Sequence, residues 1–291
     1  MTGSFRRNSK PARQFHPMLA AIVVALLLIV SSGALTDAQA PQPYRILLTN
    51  DDGVRAPGLA ALAEALGSVG EVTIVAPAEN HSGTGHAINL SDPIYVARVE
   101  LGPGLTATSL TATPATCVRV ALGRLLETRP DLVVSGVNRG SNFGLNAYIS
   151  GTVAAAREAA MQGIPAISSS LDITGHPNYG PAAAATARVA SIVKQDGLPR
   201  GIFLNVNVPP GPATAHKGLK FARQSNQMGM ERFDEARTPY GRQLFWSFFQ
   251  QPTTAEPDSD VQAALDGYVA VTPLRASEFD EKAFEQLKRR F

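Results

Sequence analysis

Asp51 and Asp52 stand side by side in Thr49-Asn50-Asp51-Asp52-Gly53, directly after the short apolar run Arg45–Thr49 (R-I-L-L-T). Neighbouring carboxylates at a buried strand end repel each other unless a cation or a proton compensates. A hard divalent ion, Mg²⁺ or Mn²⁺, takes oxygen donors of this kind. Two further polar clusters follow apolar runs: Glu79-Asn80-His81-Ser82-Gly83, and Ser135-Gly136-Val137-Asn138-Arg139-Gly140. Asp51, Asp52, Ser82 and Asn138 therefore make a candidate four-oxygen site for one divalent ion, with Asp51, Asp52 and Asn138 as the catalytic candidates. Alone, Asp-Asp-Gly reads as a turn with an Asp capping a helix. Three such clusters at successive strand ends shift the reading to a metal site.

Ser150-Gly151-Thr152 precedes an alanine-rich stretch. Small residues and hydroxyls suit a helix N-terminus whose free amides hold a phosphate. An ordinary Ser or Thr N-cap is equally compatible. Gly140-Ser-Asn-Phe-Gly144 adds backbone freedom, but the G-x-G-x-x-G spacing of a dinucleotide fingerprint is absent. His81 and His86 flank Ser82-Gly83-Thr84-Gly85, a spacing that lacks the one-face helical geometry of a zinc pair. His86 could serve the leaving group or make a structural hydrogen bond. Cys117, the only cysteine, lies in a helical apolar pattern and reads as a buried thiol. The aromatic cluster Phe245–Phe249 reads as packing or a subunit interface rather than a base platform.

The elements that must position these groups alternate. Strand-like runs at Arg45–Thr49, Glu71–Ala76, Asp131–Ser135, Pro165–Ser169, Ile202–Val208 and Tyr268–Thr272 interleave with helical ones. The helical stretches begin after Pro57-Gly58 and continue at Thr116–Thr128, Thr152–Gln162 and Ala182–Val193. This order predicts an α/β fold with a mostly parallel sheet and helices on both faces. In such a sheet, ligands bind beyond the carboxyl ends of the strands. Residues 217–250 read as a projecting hairpin turning at Arg237–Arg242, and Phe279–Arg290 as a terminal amphipathic helix within the 279–291 tail.

Residues 1–40 read as a secretory signal peptide. Arg6, Arg7, Lys10 and Arg13 precede the apolar run Met18–Val30, and Ala38-Gln39-Ala40 matches the small-residue cleavage pattern. Cleavage after Ala40 predicts an exported protein, periplasmic or secreted, with one domain over 41–291 and no stable membrane anchor; an uncleaved anchor is the alternative. The first forty residues hold four of the 26 basic residues and one of the 24 acidic ones, leaving 22 positive and 23 negative charges. The remainder is near neutral, which gives no bulk case for nucleic-acid binding.

The loops Thr49–Gly53, Asn80–Asn89, Ser135–Gly144 and Ser150–Glu158, in this order, resemble the survival protein SurE family of nucleotidases. The stretches F-A-R-Q-S at Phe221–Ser225 and D-G-Y-V-A-V-T-P-L at Asp266–Leu274 are also similar to it. The most specific part is S-G-x-N-x-G-x-N-x-G leading to S-G-T-V-x-A-A. The resemblance implies a Rossmann-like three-layer α/β/α sandwich and a metal-dependent phosphomonoesterase acting on nucleoside 5′- and 3′-monophosphates. It implies metal ligands at Asp51, Asp52, Ser82 and Asn138, and a homodimer or homotetramer assembled through the C-terminal arm. Two positions depart from the family pattern: Thr116 stands where an acid is usual, and Ile149 where a Tyr commonly precedes Ser-Gly-Thr-Val.

The expected chemistry is hydrolysis by a metal-activated water, with the phosphate held at Ser150, Gly151 and Thr152. Asp51 could instead attack as a nucleophile. The reading from another class is a non-catalytic periplasmic binding protein for a phosphorylated ligand.

Overall fold

The computed structural model describes residues 1–3 and 42–291, apart from 174, 251 and 253. The expected signal peptide therefore lies almost wholly outside the described residues. Residues 43–291 form one compact unit. Among the described residues no helix is long and apolar enough to cross a membrane.

Alternation along the first strand sets the layers. In β1 (Arg45–Thr49), Ile46 and Leu48 face one side of the sheet and Leu47 the other. The first side packs α1 (Pro57–Leu66) and α4 (Tyr179–Asp196). The second packs α2 (Pro114–Val120) and α3 (Gly151–Met161). Leu59, Leu62 and Leu66 recur at helical spacing on α1 and are fully buried, each worth roughly 1.5–3 kcal/mol. The result is the expected three-layer α/β/α sandwich.

The other strands are β2 (Glu71–Pro77), β3 (Val96–Gly102), β4 (Leu105–Leu110), β5 (Leu132–Arg139), β6 (Ala166–Leu171), β7 (Ile202–Val208), β8 (Leu219–Phe221) and, after the arm strands described below, β11 (Val269–Arg275). The sheet order is β3-β4-β2-β1-β5-β6-β7-β11-β8. Strands β4, β2, β1, β5, β6 and β7 run parallel, while β3 and β11 pair antiparallel with β4 and β7. The chain leaves β1 toward β2 and returns to β5 on the opposite side of β1. This reversal opens a crevice at the carboxyl ends of β1 and β5, the switch point where open α/β sheets bind ligands.

Several boundaries differ from the sequence reading. Thr113 caps α2 by accepting from the Thr116 amide, so the helix starts at Pro114; it gives way to a five-residue π turn at Ala121–Leu125. β5 continues past Ser135 to Arg139, because an irregularity between Ser135 and Asn138 absorbs Gly136 and Val137 and pairing with β6 resumes. The hairpin expected over 217–250 is confined to β9 (Met230–Arg237) and β10 (Gln243–Gln250). Residues Leu219–Phe221 instead pair with β11 in the main sheet. The remaining helices are α5 (Asp260–Leu265) and α6 (Glu281–Leu287), the latter starting after its Asp280 cap.

Candidate active site

Asp51 leaves the end of β1 and is 2% exposed. Its backbone carbonyl accepts from the His81 amide at 2.7 Å, and Val54 N–H donates to Pro77 O at 2.7 Å, so the loops after β1 and β2 are stitched together. The Thr152 hydroxyl donates to Asp51 Oδ1, and the Thr152 backbone amide bonds the same carboxylate. The N-terminus of α3 thus points at Asp51. Gly151 makes this approach possible: a Cβ there would lie 2.8 Å from Asp51 Cβ and 3.0 Å from Oδ2.

Asp52 Oδ2 accepts from the Arg139 amide at 3.0 Å, which joins it to the end of β5. Asn80 Nδ2 lies 3.5 Å from Asp52 Oδ1, and Asn80 Oδ1 accepts from the Ser82 amide at 2.8 Å. One amide side chain thereby ties exposed Ser82 to the acid pair. Asn138 is buried, and its Nδ2 donates to Gly140 O at 2.7 Å. That bond fixes the amide so that Oδ1 is the atom left for a ligand.

Burial pushes the Asp51 carboxyl above its ordinary pKa, against the Thr152 hydrogen bonds and the charge of His81. Burial, then the charge of Asp51, raises Asp52 to about 6, opposed by the Arg139 amide and guanidinium. Among the described residues neither carboxylate takes part in a salt bridge. Thr49 Oγ1, Asn50 Oδ1 and Ser135 Oγ are buried nearby in sequence and register, without hydrogen-bond partners among the described residues. Also among the described residues, no three His, Cys, Asp or Glu side chains converge. The available donors are two under-compensated carboxylates and neutral oxygens, a set that fits a hard divalent cation rather than zinc.

The phosphate candidates divide. Ser150 is the N-cap of α3, its Oγ accepting from Val153 N at 3.2 Å. The Thr152 hydroxyl is engaged by Asp51. With the Thr152 amide on Asp51 and the Val153 amide on Ser150 Oγ, the Gly151 amide and the positive helix end are what α3 presents to an anion.

Two contributors, Glu158 and Tyr179, escaped the sequence reading. Glu158, 2% exposed, gathers His86 Nε2, Arg119 Nε and Gln162 Nε2, each at 2.9 Å. Burial alone would raise its pKa, but these three donors hold it at about 2. His86 therefore has a structural carboxylate partner. Thr116 Oγ1 accepts from the Asn89 amide at 2.9 Å and meets Thr113 Oγ1 at 2.8 Å, while Thr113 Oγ1 donates to Ala87 O at 2.7 Å. A hydroxyl at Thr116 thus anchors the 80–89 loop to α2 without an acid. Tyr179 stands close enough to Asp52 for that charge, after burial, to raise its phenol pKa. Ile149 is exposed, and its carbonyl accepts from the Gly85 amide at 2.9 Å. Cys117 is buried, as its apolar pattern predicts.

Fold and site together define a doubly wound α/β protein with an acid pair facing a helix N-terminus at the sheet's switch point. The chain belongs to the survival protein SurE family, whose model matches residues 46–231. It is 40% identical over 248 residues to a protein named 5′-nucleotidase SurE from Cytophaga hutchinsonii, covering 84% of this chain and 95% of that one. It is 42% identical to the protein of the same name from Geotalea uraniireducens, covering 84% and 98%. The crystal structure of the SurE protein from Aquifex aeolicus superposes with a TM-score of 0.73 at 35% identity, covering 84% of this chain and 99% of that one.

Proposed function

We propose that this chain is a divalent-metal-dependent phosphomonoesterase that releases phosphate from nucleoside 5′- and 3′-monophosphates. The observation that carries the reading is the Asp51 carboxylate, buried beside Asp52 and bonded by the first turn of α3. Its relatives' name, 5′-nucleotidase, supplies the substrate class. A receptor for phosphorylated ligands would need no buried carboxylate pair, and the relatives named above carry the name of a nucleotidase.

A divalent ion, Mn²⁺ or Mg²⁺, held by Asp51, Asp52, Ser82 and Asn138 would neutralise phosphate charge and lower the pKa of a water. The protein's own part is positioning. Thr152 fixes the rotamer of Asp51, the Arg139 amide fixes Asp52, and Asn80 draws the Ser82 loop in. The positive end of α3, with the Gly151 amide at its first position, faces the phosphate oxygens as their charge shifts. Gly151 keeps that turn within reach of Asp51.

The β9–β10 hairpin supports assembly into a dimer or tetramer. Phe233 and Phe245 lie on one face of the ribbon and Trp246 and Phe248 on the other, and all four are exposed. A ribbon that carries exposed aromatics among charged β9 residues on both faces suits an arm reaching a second copy. The pattern of residues 1–40 supports export, with hydrolysis outside the cytoplasm.

Full-length protein assayed on AMP with Mn²⁺ and with chelator tests the reading. Phosphate release that needs the metal and disappears in Asp51→Asn is expected. Tight AMP binding with no turnover in either condition would overturn it.

A further inference from the structure

Arg157 lies on α3, seven residues and two turns after Ser150, on the same helix face. It is 8% exposed, yet its guanidinium makes no hydrogen bond or ion pair among the described residues. Its one close partner is the ring of Tyr148, 5.5 Å away. Face-on packing against an aromatic ring leaves the edge donors of the fork free. None of its nitrogens is both fully buried and unpartnered, so the free donors meet solvent on one side.

The donors open on a cleft of about 360 Å³, also lined by Gln224, Arg275, Ser277 and Glu278. Asp280, at the same rim, is occupied as the cap of α6, accepting from Ala283 N at 2.8 Å. The guanidinium groups of Arg157 and Arg275 are balanced by the carboxylates of Glu278 and Asp280, so the cleft is neutral overall and the Arg157 donors, not net charge, are what it offers an anion. Glu278 acts on Arg157 through its charge without closing to a salt bridge.

We propose that this cleft is a second oxyanion site, with the Arg157 fork as its principal donor and Glu278 as the carboxylate an incoming anion must displace. Its ligand is a phosphate or carboxylate group. Two sources share that chemistry. One is a free anion; the other is a second anionic group on a substrate whose reacting phosphate lies at Ser150–Thr152, on the order of 10 Å away along α3. The first experiment below does not depend on the catalytic reading.

Crystals of the full chain soaked in selenate locate the anion by anomalous scattering. A peak within hydrogen-bond distance of Arg157 is expected in the wild type and in Asp51→Asn, and absent from Arg157→Met. In solution, calorimetry with inorganic phosphate on metal-free Asp51→Asn should show binding at least tenfold weaker when Arg157→Met is added. Adding Glu278→Gln instead should tighten it severalfold. Methionine matches the length of the buried stem and Glu278 is exposed, so both variants should keep the parent melting temperature. Selenate confined to Ser150–Thr152, or equal phosphate affinity in all three proteins, would overturn the proposal. The source follows from kcat/KM for adenosine 3′,5′-bisphosphate relative to AMP. A preference for the bisphosphate that Arg157→Met removes assigns the site to the substrate's second phosphate. A ratio unchanged by Arg157→Met, with the wild-type selenate peak present, assigns it to a free anion.

Discussion

The Thr152 hydroxyl donates to Asp51 Oδ1. The first turn of α3 and the acid at the end of β1 are therefore one unit, joining the proposed phosphate and metal subsites. A residue singled out for the phosphate acts through its side chain on the carboxylate, while its amide bonds the same group. Burial raises the Asp51 pKa, and this pair of bonds opposes the rise.

Removing that donor should cost activity more than stability. A hydrogen bond to a charged group contributes roughly 1.5–3 kcal/mol. Thr152→Val keeps the shape of the side chain and deletes the bond. Its kcat should fall by about 10² and Mn²⁺ binding should weaken by about tenfold, while Thr152→Ser keeps most of both. Steady-state kinetics with a Mn²⁺ titration checks this. A valine variant with wild-type turnover would remove Thr152 from the mechanism.

The acid pair makes metal-free stability depend on pH. Burial, then the charge of Asp51, holds folded Asp52 at about 6, against an ordinary 3.8. Between these values the folded chain keeps a proton that the unfolded chain has lost. Stability therefore falls as pH rises through this window, and the full penalty is present above it. Partial solvent access at Asp52 limits the penalty to on the order of 1 kcal/mol. Asp52→Asn should gain about that much at pH 8 in chelator and nothing below pH 4, while losing stabilisation by Mn²⁺. Urea melts at the two pH values measure it, and a variant no more stable than the wild type at pH 8 would contradict the repulsion.

Gly151 offers a separate test because its backbone needs no special conformation. In a helix, Gly→Ala ordinarily stabilises by about 0.5–1 kcal/mol. Here the new methyl would meet Asp51 Cβ at 2.8 Å and Oδ2 at 3.0 Å, so one of them must move. Gly151→Ala should lower kcat/KM at least tenfold, on the order of the effect of misplacing a reacting group by a fraction of an ångström, with little change in melting temperature. Unchanged kinetics would show that Asp51 tolerates displacement.

What the sequence disclosed depended on the range of the interaction. The parallel strands were legible because β1, β7 and the second half of β2 are short apolar runs buried on both faces, and the acid pair because it follows the first of them directly. The β3–β4 hairpin was not, since β3 is largely exposed and alternates only over its last five residues, where Val99 and Leu101 are half-buried. The end of β5 was hidden by Gly136, a poor strand former that the irregularity before Asn138 accommodates. Glu158 sits in an alanine-rich helix, where a lone acid reads as surface charge. Its partners His86 and Arg119 are 72 and 39 residues away in sequence, a separation that no local pattern reports.

Glu158 yields the last prediction. With His86, Arg119 and Gln162 around it, the folded carboxylate titrates at about 2, against an ordinary 4.5. Its contribution is complete above pH 4.5 and is lost progressively as pH falls toward 2. Removing one member of a buried, hydrogen-bonded charge cluster costs about 2–3 kcal/mol. Glu158→Ala should be destabilised by that amount at neutral pH, and its stability should fall less steeply than the wild type's between pH 4.5 and 2. Because His86 belongs to the loop that carries Ser82, the variant should also bind Mn²⁺ several-fold more weakly. Denaturant melts across the acid range, together with a metal titration, distinguish the two effects. Parallel acid limbs in the two proteins would show that Glu158 is not held as an anion by its neighbours.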